Sequence, residues 1–509
     1  MNVMKEQIFM KRIICLAIVL MLALVPLVAC GEADEGGSAG LANGTGGDNG
    51  AGNNGPAEEV NPRERYNPNF EPVDMGGYVF RMATRDDDAP WHHADIRTHT
   101  RDLWSETLTG DPINDVIFRR NTYLEQKYNM TFEMDAFLEA AGEDQANRIV
   151  ERGAASGDYT YDLLMTHMMM GVATATRGAL QDIADFPNID LSKPYWCDGA
   201  TRGASVGGRL FTGLSDLSFS TNENVYCIFF NKDLMRDLDI TDNPYELVRT
   251  GEWTFENFER LIRQGYRDLN GTGVVDEYDQ FGYVSSSAMG FLWSGGSHIM
   301  TKDENDIPVL DFLTPRTLAI YDAVFRMTNN PYTWAVAQWH FEPSIGIFRE
   351  GRGVFYSSQL CRVNDLRATE FDFGIVPYPQ FDSAQENFYS FVDGHASMMA
   401  IPLHLPNPEW TGIIIEEMSF LAFRDVLPVY KDVVLNVQLV RDECSVEMLD
   451  ILFNSKVFDP AYMMGAAFWI MWIDSIYQQR TEFVSTYERG APAAMRNVER
   501  IIEQLLAIE

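Results

Sequence analysis

The chain has 509 residues, 46% of them hydrophobic, and a formal net charge of −35. Length and apolar content together suit two or three packed domains and exclude a disordered surface chain. The acidic excess repels polyanions, which excludes nucleic acid and anionic lipid as binding partners.

Lys11 and Arg12 precede an apolar run from Ile13 to Val25, and small residues follow up to Cys30. A basic start, a short oily stretch and a small-residue cut site describe an export signal. The run is shorter than the roughly 20 residues that span a bilayer, so it is a poor permanent anchor. Met10, just ahead of the two cations, would itself make a conventional start. The stretch Leu27-Val28-Ala29-Cys30 resembles the lipobox of bacterial lipoproteins. That resemblance implies removal of residues 1–29, acylation of the Cys30 thiol and attachment to the cell membrane on its extracytoplasmic side. From Gly31 to about Pro62 the chain is dominated by Gly, Asn, Ala, Asp and Glu and has no aromatic residue. Such a stretch cannot offset its ordering entropy, so residues 30–65 are expected to be a flexible tether.

The folded part alternates short β-like runs with longer amphipathic segments and shows no tandem repeat, which predicts an α/β architecture. Gly77 to Thr84 reads as a first strand, and Pro112 to Met130 as a helix with Ile113, Val116, Ile117, Tyr123, Leu124 and Tyr128 on one stripe. The run TFEMDAF alternates like a strand, while Tyr161 to His167 and Asn224 to Lys232 read as buried ones. Thr254 is a plausible N-cap for a helix reaching Leu269, with acids in its first turn. The last fifty residues read as two or more helices. Cys197, Cys227, Cys361 and Cys444 are scattered without metal-like spacing, which predicts buried thiols rather than a disulfide framework.

Three passages carry a wider resemblance. They are YDLLMTHMMMGVATATRGALQDIADFPNIDLSKPYW, then STNENVYCIFFNKDLMRDLDITDNPYELVRTGEWTFENFERL, then FREGRGVFYSSQLCRVNDLRATEFDFGIVPYPQFD. In order and spacing the chain from about Gly77 onward resembles the extracellular solute-binding proteins of ABC importers, the maltose-binding-protein-like family 1. The resemblance implies a two-lobed periplasmic-binding-protein-like fold of type II, closing on a hinge around a solute. It places lobe 1 in residues 66–222 and 393–460, and lobe 2 in 223–392 and 461–509, with a C-terminal helical segment. Crossings between the lobes are expected near Thr221–Tyr226, Phe391–Ala396 and Asp459–Met463. The segment from Asp86 to Gly110, with His92, His93 and His99, matches no part of the family pattern.

Ligands of open α/β sheets bind beyond the carboxyl ends of strands. Arg85, Asp86, His167, Ser357, Ser358 and Asp393 fall at such ends, and Tyr356 lies in the same strand as the two serines. A sugar needs flat apolar surfaces and a few fixed polar groups. Trp293, Trp334, Trp339 and Trp469 are candidate platforms, each with core packing as its alternative; Trp196 and Trp253 read mainly as packing. The stretch DLNGTGVVDEYD offers Asp268, Asn270, Thr272, Asp276 and Asp279 at EF-hand-like positions with Gly273 sixth. A structural calcium is one reading and a tight polar turn the other, since the twelfth position lacks the bidentate Glu.

The leading function is therefore a membrane-tethered receptor, a monomer and not an enzyme, that captures a saccharide and passes it to the membrane subunits of an ABC permease. A tether suits this by keeping effective concentration high near the membrane. The alternatives are an anchored glycoside hydrolase, which needs two carboxylates about 5–9 Å apart, and a receptor that presents ligand to a sensor. The H-E-x-x-H signature is absent from the sequence.

Overall fold

The structure is a computed structural model that describes residues 61–85, 99–137, 145–335, 341–433 and 443–508. Cys30, the expected tether up to residue 60, Asp86, His92, His93 and Trp339 lie outside the described residues. The far end of the expected tether is not free: Pro62–Tyr66 is a short helix on which Arg63 donates to Phe423 O and Glu64 pairs with Arg424 at 2.8 Å. Among the described residues the strands are β1 (Tyr78–Arg85), β2 (Met130–Phe137), β3 (Leu163–His167), β4 (Tyr226–Asn231), β5 (Phe281–Ser285), β6 (Met300–Lys302), β7 (Pro308–Leu310), β8 (Thr333–Ala335), β9 (Gly353–Gln359), β10 (Phe373–Val376), β11 (Ser390–Phe391), β12 (Ser397–Ala400) and β13 (Lys456–Val457). They build two main sheets. The first has the order β12-β3-β1-β2, and the second β10-β4-β9-β5-β8.

In the first sheet β1 runs parallel to β2 and β3, and β12 runs antiparallel to β3. The helix Pro112–Tyr128 connects β1 to β2; Asp111 caps it by accepting from Asn114 N at 2.8 Å, and Asn129 closes it in the left-handed region at φ 49. Its buried stripe includes Ile113, Ile117, Leu124 and Tyr128, but Tyr123 is 50% exposed. Arg120 and Asn121 take the buried positions instead. Their side chains donate to the carbonyls of Asp102 (3.0 Å) and Leu103 (2.8–2.9 Å), which ends the helix His99–Leu103 without orphaned acceptors.

The second sheet is mixed: β5 is parallel to β8 and β9, whereas β4 is antiparallel to β9 and β10. The helix beginning after Thr254 stops at Ile262, well short of Leu269. Close packing explains the early end. A Cβ on Gly282 of β5 would overlap the carbonyl of Ile262, and one on Gly265 would overlap Gly282 itself, so the chain leaves the helix to pass directly over the strand.

The chain passes between the sheets where Val225 bridges Val392 in antiparallel fashion, with Asp393 N donating to Asn224 O at 2.9 Å. Beside this pair, β11 lies parallel to β13. One boundary differs from the expected division. The helix Glu443–Asn454 buries Met448, Leu449 and Leu452 against the β10 edge of the second sheet, and Ser445 Oγ lies 2.6 Å from Tyr245 Oη. Residues 393–460 are thus not one lobe: the helix Leu427–Val433 packs on the helix Pro112–Tyr128 of the first lobe, whereas Glu443–Asn454, upstream of Asp459–Met463, already lies on the second. Among the described residues Cys197, Cys227, Cys361 and Cys444 are not joined in disulfides. Among the described residues no helix is long and apolar enough to cross a membrane.

Candidate functional site

Register fixes which strand ends face the crossings. Ser397, just after the second crossing, pairs with His167 at the end of β3, and β1 runs parallel to β3, so Arg85 ends on the same side. On the other sheet Tyr226 starts β4 next to the crossing and pairs with Gln359 at the end of β9; parallel β5 ends there too, at Ser285. The carboxyl ends of the parallel strands in both sheets therefore converge on the hinge, the place where open α/β sheets bind ligands.

The first sheet contributes a polar cluster. Asp393 Oδ1 lies 2.5 Å from His395 Nδ1, and Asp393 Oδ2 accepts from Tyr226 Oη at 3.3 Å. Arg85 donates to His395 O at 2.5 Å and to Ser397 Oγ at 3.2 Å. His167 caps the helix Met168–Ala175, its Nδ1 accepting from Met169 N at 3.1 Å, and its ring meets that of His395 edge-on at 4.9 Å. Burial alone would raise the Asp393 carboxyl; the charge and hydrogen bonds of His395, with a further bond from Gln359, outweigh it and hold the carboxyl below its ordinary value. His395 keeps 26% of its side chain exposed. Gly394 lies between the two, where a Cβ would come within 3.0 Å of Tyr462 Oη and 3.1 Å of Met169 Cγ.

An aromatic stack borders this cluster. Trp293 lies flat on Phe391, with centroids 4.4 Å apart and planes 5° from parallel, and Tyr462 meets both rings edge-on. Trp469 in turn meets Tyr462 at 5.6 Å. The indole N–H of Trp293 donates to Asp459 Oδ2 at 3.1 Å, and Asp459 also accepts from the amides of Ile299 and Ala461 at 2.7 and 2.9 Å. At the ends of β5 and β9 the serines bond with tyrosines: Tyr283 Oη lies 2.7 Å from Ser357 Oγ, Ser286 Oγ lies 3.1 Å from Ser358 Oγ, and Tyr378 Oη donates to Ser287 O.

The structure thus brings Arg85, His167, Asp393, Trp293 and Trp469 to the hinge, but not all in the expected role. Trp293 is 1% exposed, with its face covered and its N–H engaged, so it holds the hinge together instead of offering a free platform. Tyr356 is also corrected. It is fully buried between Phe229 and Phe348, and burial pushes its phenol up, because its place in β9 points it into the second lobe's core. Trp334 sits on edge strand β8 with its ring on Phe281. In the loop with calcium-like spacing the side chains are bonded within and beside the loop. Asp268 accepts from Gly271 N and Gly273 N, Asn270 donates its amide to Asp276, and buried Asp279 accepts from Tyr266 Oη and Leu269 N. Among the described residues no group of three or more His, Cys, Asp or Glu is arranged to hold a metal ion. His395, Tyr226, Phe391 and Tyr462 were not singled out in the sequence; the D-G-H spacing around Asp393 is the signal that could have found His395.

Compared with solved structures, the chain is similar to a cyclo/maltodextrin-binding protein complexed with maltotetraose, at TM-score 0.51 and 12% identity, covering 84% of this chain and 97% of that one. It is also similar to UspC of M. tuberculosis, at TM-score 0.54 and 15% identity, covering 82% of this chain and all of that one (100%). No protein-family model matches the sequence, and no curated protein matches it. The likeness is one of fold, and the fold is a two-lobed, type II periplasmic-binding architecture.

Proposed function

We propose that this chain is a solute-binding receptor of an ABC importer, of the maltose-binding-protein-like kind, that captures a saccharide between its lobes. The observation that carries the reading is the convergence of both sheets' strand ends on paired crossings, with His395 partly open there. Imidazole, guanidinium and carboxylate groups in one place supply the donors and acceptors that fix a polyhydroxylated solute. Binding is favoured over hydrolysis because the described carboxylates of the crossings are committed: Asp393 to His395 and Tyr226, Asp459 to Trp293 and backbone amides, and Glu223 to Arg101. Acylated at Cys30 and tethered by residues 31–60, a monomer of this kind would work on the extracytoplasmic face and deliver its solute to the permease.

The test is incubation of the purified protein with a panel of oligosaccharides, followed by calorimetry and recovery of the sugar. Saturable heat with the sugar recovered intact is expected. Steady appearance of cleaved product would overturn the receptor reading. Replacing Cys30→Ser is expected to release the protein from membranes into the medium; retention would remove the lipid anchor from the proposal.

A further inference from the structure

The lobes touch at a second place, beyond the Asp459–Met463 crossing, whose Asp459 accepts from the amides of Ile299 and Met300 at the base of the same hairpin. In the first lobe, residues 205–209 make a tight turn in which Gly207 and Gly208 both adopt positive φ (61 and 80), and Arg209 ties it to Asp182 at 3.0 Å. In the second lobe, β6 and β7 form a hairpin whose tip residue Asp306 also has positive φ (60). Asp306 seats itself on the turn. Its carbonyl accepts from Gly207 N at 3.0 Å, its Oδ2 accepts from Gly208 N at 3.0 Å, and its Oδ1 accepts from Ser205 Oγ at 2.9 Å. Lys302 donates to Asp306 Oδ1 at 3.0 Å and also to the carbonyl of Ser205, so one amine joins both lobes.

The C-terminal helix Phe483–Leu506 reinforces the same turn. Its first turns pack Phe483 and Tyr487 on Phe312 in the second lobe. Its far end reaches the first lobe, where Arg209 donates to the carbonyls of Leu505 and Ile508 and Leu506 lies over Gly207. None of these residues belongs to a crossing, yet all must slide or separate if one sheet rotates against the other. A left-handed Asp opposite two left-handed glycines is a specific fit that a small rotation destroys. Burial pulls the Lys302 amine below its ordinary value, while Asp306 keeps 31% of its side chain exposed.

We propose that Asp306 and Lys302, seated on the 205–209 turn and backed by the C-terminal helix, form an interlobe latch that sets how readily the lobes pivot. The latch holds the present arrangement against the pivoted one, so weakening it shifts population without touching any solute contact. The effect on solute affinity rests on the receptor reading; the effect on lobe movement does not.

The experiment labels Tyr123→Cys on the first lobe and Val274→Cys on the second, both exposed, in a background with Cys197→Ser and Cys444→Ser, and measures the interlobe distance distribution. It compares the otherwise unchanged chain with Asp306→Asn and Lys302→Met. Asn tolerates the left-handed backbone, so the hairpin persists, and a melting curve of each variant checks that it folds. Both variants are expected to show a second distance population in about a third or more of the molecules, and a shift of about three- to tenfold in the affinity for maltotetraose or whichever panel sugar binds. The same single distribution in folded variants overturns the latch, even if sugars bind. A new population with no sugar bound by any variant upholds the latch and sinks the saccharide reading instead.

Discussion

At the hinge the first sheet ends in Arg85 and the Asp393–His395 pair, with the ring of His167 beside them, whereas the second ends in serine hydroxyls tied to tyrosines and flanked by the Trp293–Phe391 stack. The second set is closed on itself. Ser285, Ser286, Ser357 and Ser358 are buried and bonded within the network or to its neighbours, and Trp293 and Phe391 cover each other face to face while Tyr462 meets both edge-on. The first set is tied together but partly open, because His395 retains exposure while Asp393 fixes one side of its ring. A binding protein that pivots needs both kinds of surface: a stiff one to transmit the movement and an accessible one to meet the solute.

The sharpest way to break this contrast is Trp293→Ala. It removes a ring fully buried against Phe391 and takes from Asp459 one of its donors. Loss of about 3–5 kcal/mol of stability is expected, read from urea unfolding at neutral pH. A midpoint unchanged within error would show that the stack is not what stiffens the hinge. A smaller effect is expected from Asp393→Asn, about 1–3 kcal/mol, as the charge-assisted bond to His395 is lost. Its pH dependence fixes the sign. A carboxyl held below its ordinary value of 3.8 contributes stability that is complete above that value and is lost as pH falls through the lowered one. The two proteins should therefore differ at neutral pH and converge in strong acid. A difference independent of pH would detach the effect from the Asp393 charge.

What the sequence disclosed follows the same divide. A period-two pattern revealed β2, unbroken apolar runs revealed β3 and β4, and a 3.6 period revealed the helix Pro112–Tyr128, because burial of one face leaves an apolar rhythm and burial of both leaves a continuous run. The rhythm misplaced Tyr123 and overlooked Arg120 and Asn121, since a buried polar residue is identified by its partners, here the carbonyls of Asp102 and Leu103, which no local pattern discloses. At the hinge, composition flagged tryptophans but could not tell a covered ring from an open one. Trp293 is covered by Phe391, nearly a hundred residues later in the chain, a relation that exists only after folding. His395 escaped notice for the converse reason: its role depends on Asp393 two residues earlier and His167 far upstream.

The smallest expected effect concerns the loop from Asp268 to Asp279, where sequence spacing and structure part most clearly. Its side chains occupy calcium-like positions, yet their oxygens bond to the loop's own amides. This arrangement resembles the commitment of the second sheet's serines: polar groups satisfied among themselves hold a shape and leave nothing for a guest. Asp268→Asn weakens two hydrogen bonds in an exposed turn, an expected cost of about 1 kcal/mol or less. Neither excess calcium nor a chelator should move the melting temperature of the parent protein or of the variant. A calcium-dependent rise that disappears in Asp268→Asn would mean the loop rearranges around a cation, because a ligand that binds only the folded state must stabilise it in proportion to its saturation.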